Sequence, residues 1–448
     1  MILTYKTRID PTPEQVQVLW DLSERCRLLY NFALQERILR WQEEKAKPKE
    51  ARKYLTYLEQ QNALPQLKKR FPEYRWVYSK VLQLVLRTLD ADYKSFFSLR
   101  KNGIPNTKPP RFKGKKFFTT LKYNQSGFQV RQGVLTLSHN HPSNVKLAFQ
   151  LPYLPSGTIK QVELYHDRRT KHWFVSFNCQ VKVLEYYDNE FYQVFDTGID
   201  NIVSAVNSQG KFLQIKNRRP EKYWRPKIAE VIAKRDRCQK FSRRWHWYNQ
   251  KLYRMVRKST NQLRDFQHWL SNKLVRNTKA NTLIFRKPAM KQMVQKNQDK
   301  RIGQTNKAQK SLHYSLQNTG VISRFVEFVT YKAQHLGKRV IQINEAYTTQ
   351  ICAKCGHLRK RPLSERTIAC SNCGQHLDRD LNSALNILAG FYLQKDQLTD
   401  LLQEPSVNEE SFMRQWKGFL RQTANGKTKV SLSRFWMRFS GLVGSPVL

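Results

Sequence analysis

Apolar positions in the first hundred residues recur mainly at helical spacing. Residues 1–9 read as a strand. Leu19, Leu22, Cys26, Leu29 and Ala33 then follow three to four apart, and Leu82, Val85, Leu89 and Phe96 share one helical stripe. Thr12-Pro13-Glu14-Gln15 has the form of a helix start, with Thr12 as cap, Pro13 in the first turn and Gln15 closing a capping box. Further helices are predicted at about 50–62 and 75–100. From about residue 103 the period shortens. Val134–Ser138 and Val145–Phe149 read as strands, and Ile159–Tyr165 pairs with His172–Gln180 across the turn at 167–171. An all-β body results, expected to be a small barrel with the helices of 12–100 inserted after its first strand.

A second fold begins at 192. One strand ends at Asp196, a second covers Ile202–Val206, and a third runs from Lys211 to Ile215, giving a meander. The stretch 219–280 reads as one long helical region. Asn281–Phe285 is a short apolar strand leading to Arg286. Val321, Phe325, Phe328, Val329 and Leu336 form a helix stripe stopped by Gly337, and Arg339–Ile343 is a strand. A meander whose first strand carries an Asp is the opening of an RNase H-like fold. The alternation after it predicts parallel crossovers, with ligands at the carboxyl ends of the strands, where Asp196, Arg286 and Glu345 lie. The fold class expected is α+β and multidomain: a β-barrel with an inserted helical bundle, then an RNase H-like α/β domain.

Charge narrows the partner. The 448 residues carry 80 Lys and Arg against 34 Asp and Glu, a net charge of +46. No small acidic substrate needs so much positive charge, whereas a nucleic acid does, because cation contacts release its condensed counterions. Two stretches concentrate it. Residues 108–118, KPPRFKGKKFF, mix Lys113, Lys115 and Lys116 with Pro and Phe, and 211–280 holds 21 Lys and Arg against four acids. In the latter, Arg243, Arg244 and Trp245 stand close to Trp247, Tyr248 and Tyr253, a pairing of cations and stacking rings suited to nucleic acid. There is no apolar run of 18 residues and no leader-like start, so a membrane is not an expected partner.

Chemistry gathers between 338 and 390. Cys352 and Cys355 form one CxxC, Cys370 and Cys373 another, with fourteen residues between. Each pair puts two thiolates on one tight turn, and four thiolates fill a zinc tetrahedron, so the Zn²⁺ expected here is structural. Gly356 and Gly374 follow the second Cys of each pair. The other cysteines, Cys26, Cys179 and Cys238, are scattered singly, a usage that fits a reducing compartment. Just beyond, Asp378 and Asp380 open a helix. With Glu345 they offer the carboxylates that Mg²⁺ needs in a two-metal phosphodiesterase site, although Asp-x-Asp alone at a helix start is more often a cap.

Four stretches together resemble the TnpB/OrfB proteins of insertion sequences, the related Fanzors and, more distantly, type V CRISPR effectors. They are YKTRIDPTPEQ with RLLYNFAL, then FDTGIDNIV, then YTTQICAKCGH with CSNCG, and DRDLNSALNIL. The resemblance implies an RNA-guided DNA endonuclease with guide RNA from a transposon end and double-stranded target DNA as partners. It would work in the cytoplasm or nucleoid of a prokaryote, or in a eukaryotic nucleus. It implies a barrel at 1–10 and 101–190, a helical domain at 11–100, a RuvC-like domain at 191–350 and 376–392, a zinc module at 351–375 and an extension at 393–448. The catalytic Asp, Glu, Asp of the family place Asp196 first and Asp380 last, with Asp378 beside it. The usual Glu stands seven residues before a Met, and counting back from Met293 reaches Arg286. In one outcome the site is dead, since a cation there opposes Mg²⁺ by roughly 6 kcal/mol at about 5 Å and an effective dielectric of about 20, and the chain holds DNA as a repressor or targeting module. In the other, the one expected, Glu345 replaces the lost acid, in the position of the displaced Glu of Fanzors. Arg286 then turns aside or binds a phosphate oxygen.

Overall fold

The structure is a computed structural model describing residues 1–287, 321–344, 348–359, 361 and 365–403. The chain forms two units, Met1–Lys182 and Val183–Leu448. In the first, β1 (Ile2–Ile9) runs into α1 (Pro13–Glu44). The capping box at the start of α1 is complete: Gln15 N donates to Thr12 Oγ1 at 3.3 Å, and Thr12 N donates to Gln15 Oε1 at 3.1 Å. Gln15 Nε2 also donates to the Lys146 and Ala148 carbonyls, tying the helix start to a strand 130 residues on. Thr12→Ala is expected to lower stability by about 1 kcal/mol. Denaturant unfolding would read this, and an unchanged midpoint would assign the turn to the Gln15 bonds alone.

The helix expected at 50–62 is instead a single 3₁₀ turn at Lys49–Ala51, then α2 (Tyr57–Asn62) and α3 (Leu64–Arg70). Thr56 caps α2 through a second capping box with Glu59, which restarts the chain at that point. Pro72 opens another 3₁₀ turn, so α4 begins only at Ser79 and ends at Lys101. The strands are β2 (Leu121–Asn124), β3 (Phe128–Arg131), β4 (Val134–Leu137), β5 (Leu147–Gln150), β6 (Thr158–Asp167) and β7 (His172–Gln180). They form a four-stranded antiparallel sheet in the order β1-β7-β6-β2 and a three-stranded one in the order β3-β4-β5. Strands β2 and β3 were not foreseen, because four-residue strands with Lys122, Asn124, Gln129 and Arg131 in alternate places carry little apolar signal. One core joins both sheets to α1 and α4 through Leu19, Leu22, Leu82, Leu86, Tyr123, Leu135 and Phe177.

The second unit is built on a five-stranded sheet: β8 (Tyr192–Asp196), β9 (Asn201–Asn207), β10 (Phe212–Lys216), β11 (Thr282–Lys287) and β12 (Arg339–Asn344). Its order is β10-β9-β8-β11-β12; the meander pairs are antiparallel, and β8, β11 and β12 run parallel. The region 219–280 is two helices, α5 (Pro220–Asp236) and α6 (Arg243–Asn277). Phe241 at φ +68° turns the chain between them, and Ser242 caps α6 by accepting from Trp245 N. Helix α7 (Val321–His335) precedes β12. After it Gly337 takes φ +69°, where an added Cβ would come within 2.6 Å of the Glu185 carbonyl, so only glycine fits the turn. The short strands β13 (Thr367–Ala369) and β14 (His376–Asp378) pair, and α8 (Arg379–Gln403) follows directly.

Strand alternation gives the sheet two apolar faces. Phe195, Val203 and Phe285 pack against Phe266 and Leu270 of α6 and Phe325 and Val329 of α7. On the other side Val194, Ile284 and Ile343 pack against Ala384, Ile387 and Leu388 of α8. The result is a three-layered, mixed α and β unit. No helix among the described residues is long and apolar enough to cross a membrane.

Candidate metal centres

Asp196 ends β8 on the face covered by α8, since Val194, two residues earlier, packs there. The same parity places Arg286 on that face of β11, one residue past the parallel pair Phe195–Phe285, and opposite Ile343 of β12. The first turn of α8 adds Asp380. Asp378 is the cap of that helix: its Oδ1 accepts from Asp380 N at 2.9 Å, Leu381 N at 3.1 Å and Gln214 Nε2 at 2.8 Å. Capping therefore occupies one oxygen of Asp378 and leaves Asp380 to face the sheet, where Asn201 Nδ2 donates to it at 3.4 Å.

Asp196 is 4% exposed. Burial pushes its carboxyl above the usual range, the Arg286 guanidinium pulls it down, and the charge of Asp380 pushes it up again. Smaller downward pulls come from a hydrogen bond with Ser383 and from Arg379. Two carboxylates 184 residues apart in sequence thus share one pocket at the carboxyl end of the parallel strands. Arg286 does not turn aside. Its Nη1 lies 3.3 Å from Asp196 Oδ1, with both side chains largely buried. Arg379 and Arg366 stand 3.5 and 3.8 Å from Asp380. Beside Asp196, the Thr197 hydroxyl is buried with no protein partner among the described residues. Two hard oxygen donors and an orphaned hydroxyl suit Mg²⁺; a guanidinium on Asp196 opposes it. Glu345 lies outside the described residues.

The four cysteines converge. Their Sγ atoms all lie within 4.8 Å of one another, with Cys352–Cys373 at 3.7 Å and Cys355–Cys370 at 3.5 Å. A tetrahedron with metal–sulfur bonds of about 2.3 Å has edges of about 3.8 Å, so the set fits zinc. The two knuckles have the same wiring. Gly356 N donates to Cys352 O and Gly374 N to Cys370 O, each at 2.9 Å, while Cys352 N and Cys370 N donate to the carbonyls of His357 and Gln375. Gly356 and Gly374 take φ of +73° and +69° to close these turns.

The basic residues divide. Lys113 is turned inward: its Nζ lies 3.5 Å from the centre of the Tyr30 ring, burial pulls its ammonium below the usual lysine range, and Arg27 and Asn31 hold its carbonyl. Lys115 and Lys116 are exposed, as are Arg243 and Arg244. Trp245 is partly covered by Phe241 and Arg235, and Trp247, under Lys251, is an exposed ring nearby. Asn382, Ser383 and Asn386 also belong to the site's surroundings, although no motif marks them. Their one signal is spacing: Asn382 and Asn386 are four apart on an otherwise apolar helix stripe.

Three family models match. A "Helix-turn-helix domain" of OrfB proteins covers residues 1–46, a "Probable transposase" model of the same OrfB group covers 195–287, and a "Cas12f1-like, TNB domain" covers 323–387. A candidate RNA-guided DNA endonuclease of Streptomyces pristinaespiralis is 28% identical over 391 residues, covering 86% of this chain and 88% of that protein. The chain is similar to TnpB/OrfB proteins along most of its length. InsQ of Escherichia coli K12, also named as a candidate RNA-guided DNA endonuclease, is 24% identical over 394 residues, covering 86% of this chain and 91% of that one. Among solved structures, the Cas12f1–sgRNA–target DNA complex superposes with a TM-score of 0.51 at 12% identity, over 84% of this chain and 83% of that one, a likeness of fold. The transposase model runs from Phe195, beside the pocket aspartate, to Lys287.

Proposed function

We propose that this chain is an RNA-guided, Mg²⁺-dependent DNA endonuclease, derived from a transposable element, that cuts DNA beside a short flanking motif. In this reading the second unit is an RNase H-like, RuvC-type nuclease. Asp196, Asp380 and Glu345 hold the divalent ions, and Zn²⁺ sits on the four cysteines. The observation that carries it is the convergence of Asp196 and Asp380 at the carboxyl ends of parallel strands, in a chain similar to TnpB/OrfB proteins. Bound Mg²⁺ would supply charge stabilisation and an activated water. The chain's own part is to hold two carboxylates in a buried pocket, with Arg366 and Arg379 placed to meet a phosphate oxygen. The relatives' names supply the RNA guide; the charge of +46 supports a nucleic-acid partner.

A second reading has its own observation. The Arg286–Asp196 pair favours a chain that grips guide RNA and target without cutting. Purified ribonucleoprotein with matched DNA, with Mg²⁺ or with EDTA, separates the two. Cutting that needs Mg²⁺ is expected, and Glu345→Ala is expected to slow it at least about a thousandfold with target binding retained. Equal cutting by Glu345→Ala would remove that residue from the site. Tight binding without cutting by the parent protein would establish the second reading.

A further inference from the structure

Asn382 and Ser383 are 0% exposed within α8, among residues that pack on the sheet. Buried polar groups in a helix are costly unless bonded. The bonds all reach one short stretch, the approach to the first cysteine knuckle. Asn382 Oδ1 accepts from Ala353 N at 2.8 Å, and its Nδ2 donates to the Ile351 carbonyl at 2.7 Å. Asn386 Nδ2 donates to the carbonyls of Thr348 and Ile351 at 2.7 and 2.8 Å. Ser383, between them, faces two ways: its Oγ donates to Thr348 Oγ1 at 3.1 Å, and it stands beside Asp196, whose carboxyl it helps to lower. A second connection runs to Asp380. Arg366, at the foot of β13, lies 3.8 Å from it and also pairs with Asp200. Arg379 adds a further link, lying 3.5 Å from Asp380 and donating to the Glu365 carbonyl at 3.3 Å, so both pocket carboxylates adjoin side chains bonded to the four-Cys module.

We propose that the four-Cys module is a positioning device for the Asp196–Asp380 pocket, acting through Ser383 and Thr348 on one carboxylate and through Arg366 on the other. This rests on the reading of that pocket as a divalent-cation site. The module has a small apolar interior, chiefly Ile351, Ala353 and Ile368 besides two cysteines, so its fold follows its metal. Without the metal, Thr348 and Arg366 lose their fixed places. The Ser383 hydroxyl then loses the partner that fixes its rotamer beside Asp196. Partners of this kind, one step removed from a metal, change its affinity by about 10–100-fold.

The test uses the full chain and Mn²⁺ alone as probe, with free Mn²⁺ read by electron paramagnetic resonance and zinc content measured in parallel. Zinc-depleted protein is expected to bind Mn²⁺ about tenfold more weakly than zinc-loaded protein. Ser383→Ala is expected to show the same loss while keeping its zinc, and Ser383→Thr, which restores a hydroxyl, to recover most of it. Mn²⁺ affinity that ignores zinc, or a Ser383→Ala protein that binds like its parent, would overturn the linkage. Asp196→Ala separates the two levels: if it too binds Mn²⁺ normally, the cation pocket itself is refuted, whereas loss of binding there with none in Ser383→Ala refutes the linkage alone.

Discussion

Arg286→Gln is expected to raise the affinity of the pocket for Mn²⁺ at least about a hundredfold at pH 8. The guanidinium lies 3.3 Å from Asp196 Oδ1 in a largely buried pair, so an arriving cation must displace it or tolerate it. Tolerance costs roughly 6 kcal/mol for charges of two and one at about 5 Å with an effective dielectric of about 20, an upper bound near four powers of ten. Glutamine keeps the side-chain reach and removes the charge. The same change should cost the metal-free protein on the order of 3 kcal/mol, because a buried carboxylate loses its ion-pair partner. Mn²⁺ should restore much of that. The pH dependence has a definite sign. Burial and Asp380 already hold the Asp196 carboxyl above its ordinary range, and Arg286 is the largest influence pulling it down. Without Arg286 the carboxyl rises further. Metal binds the ionised form, so the affinity of the variant falls as pH drops through that raised value, more steeply than in the parent. Unchanged Mn²⁺ affinity would mean that Arg286 leaves Asp196 freely when metal arrives, and the cutting reading would gain.

What was legible in the sequence is what is encoded locally. Both cysteine knuckles are four-residue motifs with a glycine at the bend, and their spacing alone implied the cluster that the Sγ distances describe. Asp196 at a strand end follows from an apolar run that stops there, and Asp380 at a helix start from the helical pattern that begins just after it. The cap ambiguity at Asp378-Arg379-Asp380 resolves by position: the first acid caps, the second faces the sheet. The direction of Arg286 was not legible, because its rotamer answers to a buried carboxylate on a neighbouring strand 90 residues away in sequence. Nor were the bonds of Asn382 and Asn386, whose partners lie 29 to 38 residues earlier. The break between α5 and α6 escaped for another reason. Helical periodicity persists on both sides of it, and the turn depends on Phe241 adopting a left-handed conformation that its residue type does not announce.

Cys373→Ser is expected to cost the chain its zinc and, with it, the protected structure from Thr348 to Asp378. Each knuckle is held by a few short backbone bonds, and β13 and β14 are three residues each. That is too little to fold without a cross-link. Structural zinc at four thiolates contributes roughly 10–16 kcal/mol in small domains at neutral pH. Three thiolates and a water retain only part of this, so zinc affinity should drop by at least about a thousandfold. Serine is close to cysteine in size, so lost ligation, not lost packing, accounts for the change. Hydrogen exchange should show fast-exchanging amides at Cys352, Gly356, Cys370 and Gly374, all donors or neighbours in the knuckle bonds, while the core strands β8 and β11 keep their protection. Helix α8 gives the discriminating signal. Its cap, Asp378, belongs to β14, so its first turn should loosen with the module, whereas Ile387 and Leu388 remain anchored on the sheet. Slow exchange throughout the module in zinc-free Cys373→Ser protein would show that the fold stands without the metal, and that the cysteines serve another purpose.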